Sequence, residues 1–361
     1  MFPDLSYLEW MSGRPGAVPY DLGTSGLRGD RDDDPALVPE PLVDLPDAPA
    51  GATLENVLAQ EYEVHPGQVL VTAGATHANF VAVATALGMR ASTDVLVEQP
   101  TYQPLVETPR GLGATVDRFD RADDGSLDLA TVEEGVTDDT ALVVATNRHN
   151  PSGSLASRST LEDLANVAAS ADAPLLLDEV YAPYVLEDYG GAFGGPTAAG
   201  HPNAVVTGSL TKFAGLGDLR IGWLVGPREF VSAARSVAFH LPDVAGPSRV
   251  LARRALFGDD LIADQRDLLA ANHEVLAEFV AGRDDLGGDV AEDCSFAFLE
   301  PLEATAEDVV GAAWEEGVLV VPGRFFGDDR RIRVSAGRTP EDVAVSLDRF
   351  GAVLTDVGRA P

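Results

Sequence analysis

Residues 208–226 read Gly-Ser-Leu-Thr-Lys-Phe-Ala-Gly-Leu-Gly-Asp-Leu-Arg-Ile-Gly-Trp-Leu-Val-Gly. Lys212 within this stretch is the only lysine in a chain of 361 residues; the rest of the 25 Lys and Arg residues are arginine. An amine serves covalent chemistry because it can lose its proton and form a Schiff base with a carbonyl, which a guanidinium cannot do. Around it Ser209, Thr211, Ala214, Gly215 and Gly217 are small or hydroxylated and leave room for a bulky group. Arg220 is a permanent cation suited to a phosphate or carboxylate. The stretch reads as the place where a phosphorylated carbonyl compound is held covalently.

Working outward, the flanking runs 204–209 and 221–225 are apolar and β-branched enough to be buried strands. Upstream, Ala173-Pro-Leu-Leu-Leu-Asp178-Glu-Val-Tyr181 makes a third. Its three leucines set Asp178 at the carboxyl end of the strand, where open α/β sheets bind ligands. A carboxylate there is costly unless it meets a cation. Glu179 points to the opposite face. Residues 68–72 form a strand, 73–76 a tight turn and 77–89 a helix, a combination whose free backbone N–H groups suit a phosphate. On its own that unit is common to many α/β proteins, and His77 reads as a rim or structural residue.

A strand at 94–98 leads to Tyr102, and one at 141–145 leads to Asn150-Pro-Ser-Gly153, which is turn chemistry. His149 beside it reads as a strand cap. Another strand is expected near 115–119 and a helix over 157–171. After Pro227 helical patterns cover 228–240, 248–257 and 261–281. A smaller α/β unit then follows: strand 295–300, helix 305–316, strands 318–321 and 331–335, helix 340–355. Within it Arg331 and Arg333 share one face of a strand. The first 29 residues carry aromatics and glycines without strong periodicity, and 30–50 is a Pro- and Asp-rich connector with no expected folded element.

The composition holds 58 acidic against 25 Lys and Arg residues, net −33, with 45% hydrophobic residues. Such a surface repels nucleic acid and anionic membranes, while the apolar content argues against disorder. Dense carboxylates are accounted for by a high-salt cytoplasm, where a short Debye length screens self-repulsion. The N-terminus lacks the basic, apolar, small-residue order of a signal peptide. The expectation is a cytoplasmic, halophilic protein with no membrane partner. The single cysteine, Cys294, excludes an internal disulfide and reads as a small buried residue.

Together, Ser209-x-x-Lys212 with Arg220 and Gly222, the 74–76 turn, Tyr102, Asn150-Pro-Ser-Gly153, Asp178-x-x-Tyr181 and Arg331-x-Arg333 resemble class I/II aminotransferases, the fold-type-I pyridoxal-phosphate enzymes. The resemblance spans about residues 68–337. It implies a large domain (46–245) with a mostly parallel seven-stranded sheet sandwiched by helices. It further implies a smaller α/β C-terminal domain (246–361) and an N-terminal segment (1–45) packed on it, its 21–26 stretch edging the active site. It implies pyridoxal 5′-phosphate as cofactor, held covalently by Lys212, with Gly74, Ala75, Thr76, Ser209 and Arg220 on the phosphate. Tyr102 would stack on the ring, Asn150 and Tyr181 would meet its phenolic oxygen, and Asp178 its nitrogen. Arg333 would hold the substrate α-carboxylate. Lys212, Asp178 and Tyr181 are then the catalytic residues. The implied reaction moves an amino group between an L-amino acid and a 2-oxo acid in a homodimer. A lyase or decarboxylase on an amino acid or phospho-amino acid is the alternative. In one departure, 47–51 lacks the tyrosine with which relatives reach the partner's phosphate. Arg14, Arg28 and Arg148 are candidates for reading a substrate side chain.

Overall fold

The computed structural model describes residues 2–30, 37–49, 51–257 and 259–358. The N-terminal segment carries a short helix α1 (Ser6–Met11) and a two-residue strand β1 (Tyr20–Asp21). After α2 (Leu54–Glu61), β2 (Val69–Thr72) runs into α3 (Ala75–Met89). Then follow β3 (Asp94–Gln99), α4 (Gln103–Gly111), β4 (Thr115–Asp120), α5 (Leu129–Gly135), β5 (Thr140–Thr146) and α6 (Arg158–Ala169). The strands β6 (Leu175–Asp178), β7 (Ala204–Ser209) and β8 (Gly222–Val225) complete one sheet. Three helices follow, α7 (Arg228–Ala238), α8 (Gly246–Phe257) and α9 (Asp259–Ala281). The remainder is β9 (Leu286–Gly287), β10 (Phe296–Pro301), α10 (Ala306–Glu315), β11 (Val318–Leu319), β12 (Val321–Pro322), β13 (Ile332–Ser335) and α11 (Pro340–Gly358).

The large sheet has seven strands in the order β2-β8-β7-β6-β5-β3-β4, and β8 runs antiparallel to both its neighbours while the other pairings are parallel. Helices on both faces bury β2, β5, β6, β7 and β8 throughout, which is why their sequences are largely apolar, whereas the edge strand β4 alternates exposed and half-buried residues along most of its length. Leu175 and Leu177 pack with Leu161 and Leu164 of α6, whereas Leu176 packs with Val81 and Ala82 of α3. Each such leucine contributes about 1.5–3 kcal/mol by its burial. The two-residue period then puts Asp178 on the face of Leu176, under α3, and Glu179 on the face of Leu177. One strand thus delivers two carboxylates to opposite layers.

The second sheet, β12-β13-β10-β9, is antiparallel and has its own core, in which Ala297, Leu299, Ile332 and Val334 meet Leu347 and Phe350 of α11. Leu22 of the N-terminal segment and Leu276 of α9 join that core. By contrast, Leu251, Ala252 and Ala255 of α8 pack into the core of the large sheet.

Several expectations shift. Helix α3 begins at Ala75 rather than 77, because Gly74 (φ 85°, ψ 167°) turns the chain directly into it. The strand expected over 318–321 is interrupted at Val320: β11 pairs with β1, and β12 with β13. The connector 30–50 is not merely solvated. Residues 31–36 and 50 of it lie outside the described residues, but Glu40–Leu42 forms a 3-10 turn whose Leu42 is fully buried against the large sheet. Helix α1 escaped notice because it is six residues long and has no side-chain cap; tertiary contacts hold it instead.

Candidate active site

A cavity of about 420 Å³ opens at the carboxyl ends of β6 and β7, against the start of α3, with α1 and β13 closing its other side. Of the residues picked out from the sequence, Ala75, Thr76, Tyr102, Asn150, Asp178, Tyr181, Ser209, Lys212, Arg220 and Arg333 line it. Gly74 lies just behind. Arg14, Arg28 and Arg148 are not in its wall. Arg14 is held between the rings of Trp10 and Trp314, and buried Arg148 donates to the carbonyls of Gly153, Tyr184 and Glu292.

One end of the cavity is built for an anion. The first turn of α3 has no side-chain cap, so its backbone N–H groups are open to a ligand. Gly74 is required there by its φ of 85°, and a Cβ on it would also stand 2.9 Å from Nη2 of Arg220. Gly222 is as constrained, since its Cβ would fall 2.3 Å from the carbonyl carbon of Gly74. Arg220 adopts φ 49°, ψ 48°. That left-handed conformation costs a non-glycine residue roughly 1–2 kcal/mol and places the guanidinium over the helix start. Among the described residues no carboxylate lies within ion-pair distance of it, and its one hydrogen bond, to the Ala73 carbonyl, is long at 3.5 Å.

At the far end Asp178 is buried and fixed on both oxygens. Asn79 Nδ2 donates to Oδ2 at 2.7 Å and the Val180 N–H to Oδ1 at 3.1 Å. The Thr207 hydroxyl in turn donates to Asn79 Oδ1 at 2.6 Å, which leaves the amide's donor end facing the carboxylate. Burial raises the Asp178 pKa above its ordinary value, outweighing the Asn79 and Val180 hydrogen bonds and the pull of Lys212.

Lys212 lines the same cavity. Its Nζ is 3.5 Å from the Ser25 hydroxyl and 5.7 Å from the centre of the Tyr181 ring, and Ser25 and Tyr181 share a hydrogen bond of 2.6 Å. Ser25 belongs to the 21–26 stretch that the resemblance places at the active-site edge.

Arg333 comes from the smaller sheet and is 1% exposed. It donates to Asn150 Oδ1 at 2.9 Å, the Gly23 carbonyl at 2.8 Å and the Tyr7 hydroxyl at 3.3 Å. All three acceptors are neutral, and Nε has no partner. The equally buried Arg121 shows the contrast. It is ion-paired with Glu98 at 2.7 Å, in a network with Thr101 and Thr146 that pins the loops beneath the cavity. A buried guanidinium without a counter-charge is costly, and its planar fork suits a carboxylate. Its grip on Oδ1 also leaves Asn150 its amide Nδ2 as the free, donating end.

Three side chains that meet the candidate residues were not singled out from the sequence. Asn79 had a signal, a lone amide in the apolar run 78–84. Ser25 lay in the 21–26 stretch without being picked out, and Tyr7 had no signal, since only the packing of the N-terminal segment brings it here. His149 and Cys294 have structural places. His149 bonds the Pro100 carbonyl and the Ser152 hydroxyl, with burial and then Arg121 pushing its pKa well down. Cys294 is buried beside Phe296.

Residues 45–350 match the family model for aminotransferase class I and II. Among curated relatives, an aspartate aminotransferase of Streptomyces avermitilis is 25% identical over 335 residues, covering 86% of this chain and 80% of its own. An aspartate/prephenate aminotransferase of Thermus thermophilus is 29% identical over 332 residues, covering 86% and 83%. Among solved structures, a PLP-dependent aminotransferase of Streptococcus suis superposes over 100% of both chains with a TM-score of 0.83 at 22% identity. The chain therefore belongs to the class I and II aminotransferases. It is a pyridoxal-phosphate-dependent enzyme that transfers an amino group between an amino acid and a 2-oxo acid. The cavity fits that cofactor on its own terms, with an uncapped helix start beside Arg220, a buried carboxylate in no ion pair, and the chain's one lysine in the same wall.

Proposed function

We propose that Lys212 is the amine that holds the cofactor's carbonyl and, once displaced, the base that takes the substrate's Cα proton. The observation that carries this is its place in the wall of one cavity with Arg220 and Asp178, its Nζ beside the hydrogen-bonded Ser25 and Tyr181. Bound pyridoxal phosphate supplies the electron sink for electrons released at Cα. Ala75, Thr76, Ser209 and Arg220 hold its phosphate, with Gly74 giving the close backbone approach. Asp178, oriented by Asn79, keeps the ring nitrogen protonated. Tyr102 is the platform for the ring, and the Asn150 amide and Tyr181 hydroxyl donate to its phenolic oxygen. Arg333 binds the α-carboxylate, so that Cα is oriented toward Lys212 Nζ. Tyr181 also bonds Ser25, and that pair lies beside Nζ to steady it.

We divide the chain inside α9, because α8 shares the core of the large sheet and Leu276 that of the small one. A homodimer in the cytoplasm completes the proposal. Exposed Phe239, Val250 and Phe257 support the first, and the unpaired Cys294 is in keeping with the second. Among the described residues no helix is long and apolar enough to cross a membrane.

The test is the absorption spectrum of the protein with pyridoxal phosphate in high salt, before and after a panel of amino acids. A near-visible band that gives way to the pyridoxamine form, and is abolished by Lys212→Ala, is the expected result. A band unaffected by Lys212→Ala would overturn the assignment of the lysine.

A further inference from the structure

The cavity has a wall that the cofactor roles leave unused. Helix α1 contributes Tyr7, Leu8 and Met11 to it. Tyr7 is 7% exposed and meets Tyr102 edge-on, ring centres 5.7 Å apart at 88°. It also contacts Phe325 at 5.5 Å, and its hydroxyl accepts from Arg333. Leu8, in contrast, keeps 38% of its surface exposed.

The charges on the lining are as telling. The described lining residues hold three cations, Lys212, Arg220 and Arg333. The proposed function, on which this step rests, assigns the first two to the cofactor and the third to the α-carboxylate. Among the described lining residues no cation is left for a second carboxylate. An acidic side chain would enter a partly buried space with only Asp178 as a charged neighbour beyond those cations, and would lose hydration without compensation.

We propose that the enzyme takes amino acids with uncharged, apolar side chains, aromatic ones foremost, and that Leu8 and Met11 of α1 are its specificity-determining residues. An apolar substrate side chain covers Leu8 and packs on the Met11 thioether, which adapts to rings and branched chains alike. An aromatic ring extends the existing cluster of Tyr7, Tyr102 and Phe325 in the same edge-to-face manner. The hydrogen bond from Arg333 to Tyr7 ties this wall to the carboxylate site, so one short helix sets the distance between the two ends of the substrate.

The experiment uses the cofactor-loaded enzyme in high salt. The rates of spectral conversion by phenylalanine, leucine, aspartate and glutamate are compared, and binding of the unreactive 3-phenylpropanoate and succinate is measured by calorimetry. The expectation is a preference for phenylalanine over aspartate of about 100-fold in kcat/KM, and tighter binding of 3-phenylpropanoate than of succinate. Leu8→Arg and Met11→Arg should each narrow that ratio by about tenfold through the new cation. Aspartate converting as fast as phenylalanine, or a ratio untouched by both arginine variants, overturns the proposal. If no amino acid converts the band, the function assigned to the site fails separately. The two carboxylates still decide the side-chain reading, since succinate binding the tighter would refute it.

Discussion

Arg333→Lys tests the carboxylate site most directly. The arginine has five N–H groups. Asn150, Gly23 and Tyr7 accept three of its hydrogen bonds, which leaves two donors for a carboxylate. Lysine keeps the charge but carries three donors on a single atom and cannot span Asn150, Gly23 and a ligand together. The substrate then loses one charge-assisted hydrogen bond of two, about 1.5–3 kcal/mol, or roughly 10- to 150-fold in kcat/KM. Because the carboxylate is gripped before and during the reaction, the loss belongs mainly in KM. One buried acceptor also goes unsatisfied, at a cost to stability of about 1–3 kcal/mol that a thermal melt reads separately. The assay compares an amino acid with the amine that has the same side chain and no carboxylate. The variant should weaken the amino acid and leave the amine as it was. Equal losses for both, or an unchanged KM for the amino acid, would refute the role given to Arg333.

Two further outcomes follow from the buried polar groups. Asn79→Leu removes the donor to Asp178 Oδ2, which drives its already raised pKa higher. Cofactor affinity measured by titration should fall about tenfold, and decline with falling pH from a higher pH than in the wild type; identical pH profiles would dismiss Asn79 as a positioning residue. Glu179, buried and bonded by the Thr197 hydroxyl at 2.6 Å and the Ala198 N–H at 2.9 Å, has its pKa raised by burial from 4.5 to about 8. The folded protein holds that proton where the unfolded chain releases it. The group's stabilisation is therefore full below pH 4.5 and lost as pH rises through about 8. Glu179→Gln copies the protonated form, so its melting temperature should gain on the wild type by at least ~2–4 °C between about pH 5 and about pH 9. A constant difference across that range would show that Glu179 does not titrate there.

The legible part of this protein is the part whose signals are local. A leucine run ending in Asp178, a glycine turn before an apolar helix, and one lysine among small residues each carry their own chemistry. Strand periodicity even separated Asp178 from Glu179 onto opposite faces, and the structure shows each in its own layer. Helix ends were less legible, because a residue such as Gly74 starts a helix through its backbone angles and not through a side-chain cap.

By itself, then, the sequence determined the strands of the large sheet, the residue types gathered at the cavity and the family. Only the tertiary structure decided which distant groups meet. Arg333 reaches Asn150, 183 positions away, and Lys212 reaches Ser25, 187 positions away. The physical reason is that neither contact has a periodicity or a propensity to announce it. The first exists because the small sheet's β13 docks against the loop after β5, the second because a segment with almost no secondary structure of its own is drawn into the small domain's core by Leu22 and Tyr20. That packing, rather than any motif, sets α1 beside the cavity and with it the wall that reads the substrate.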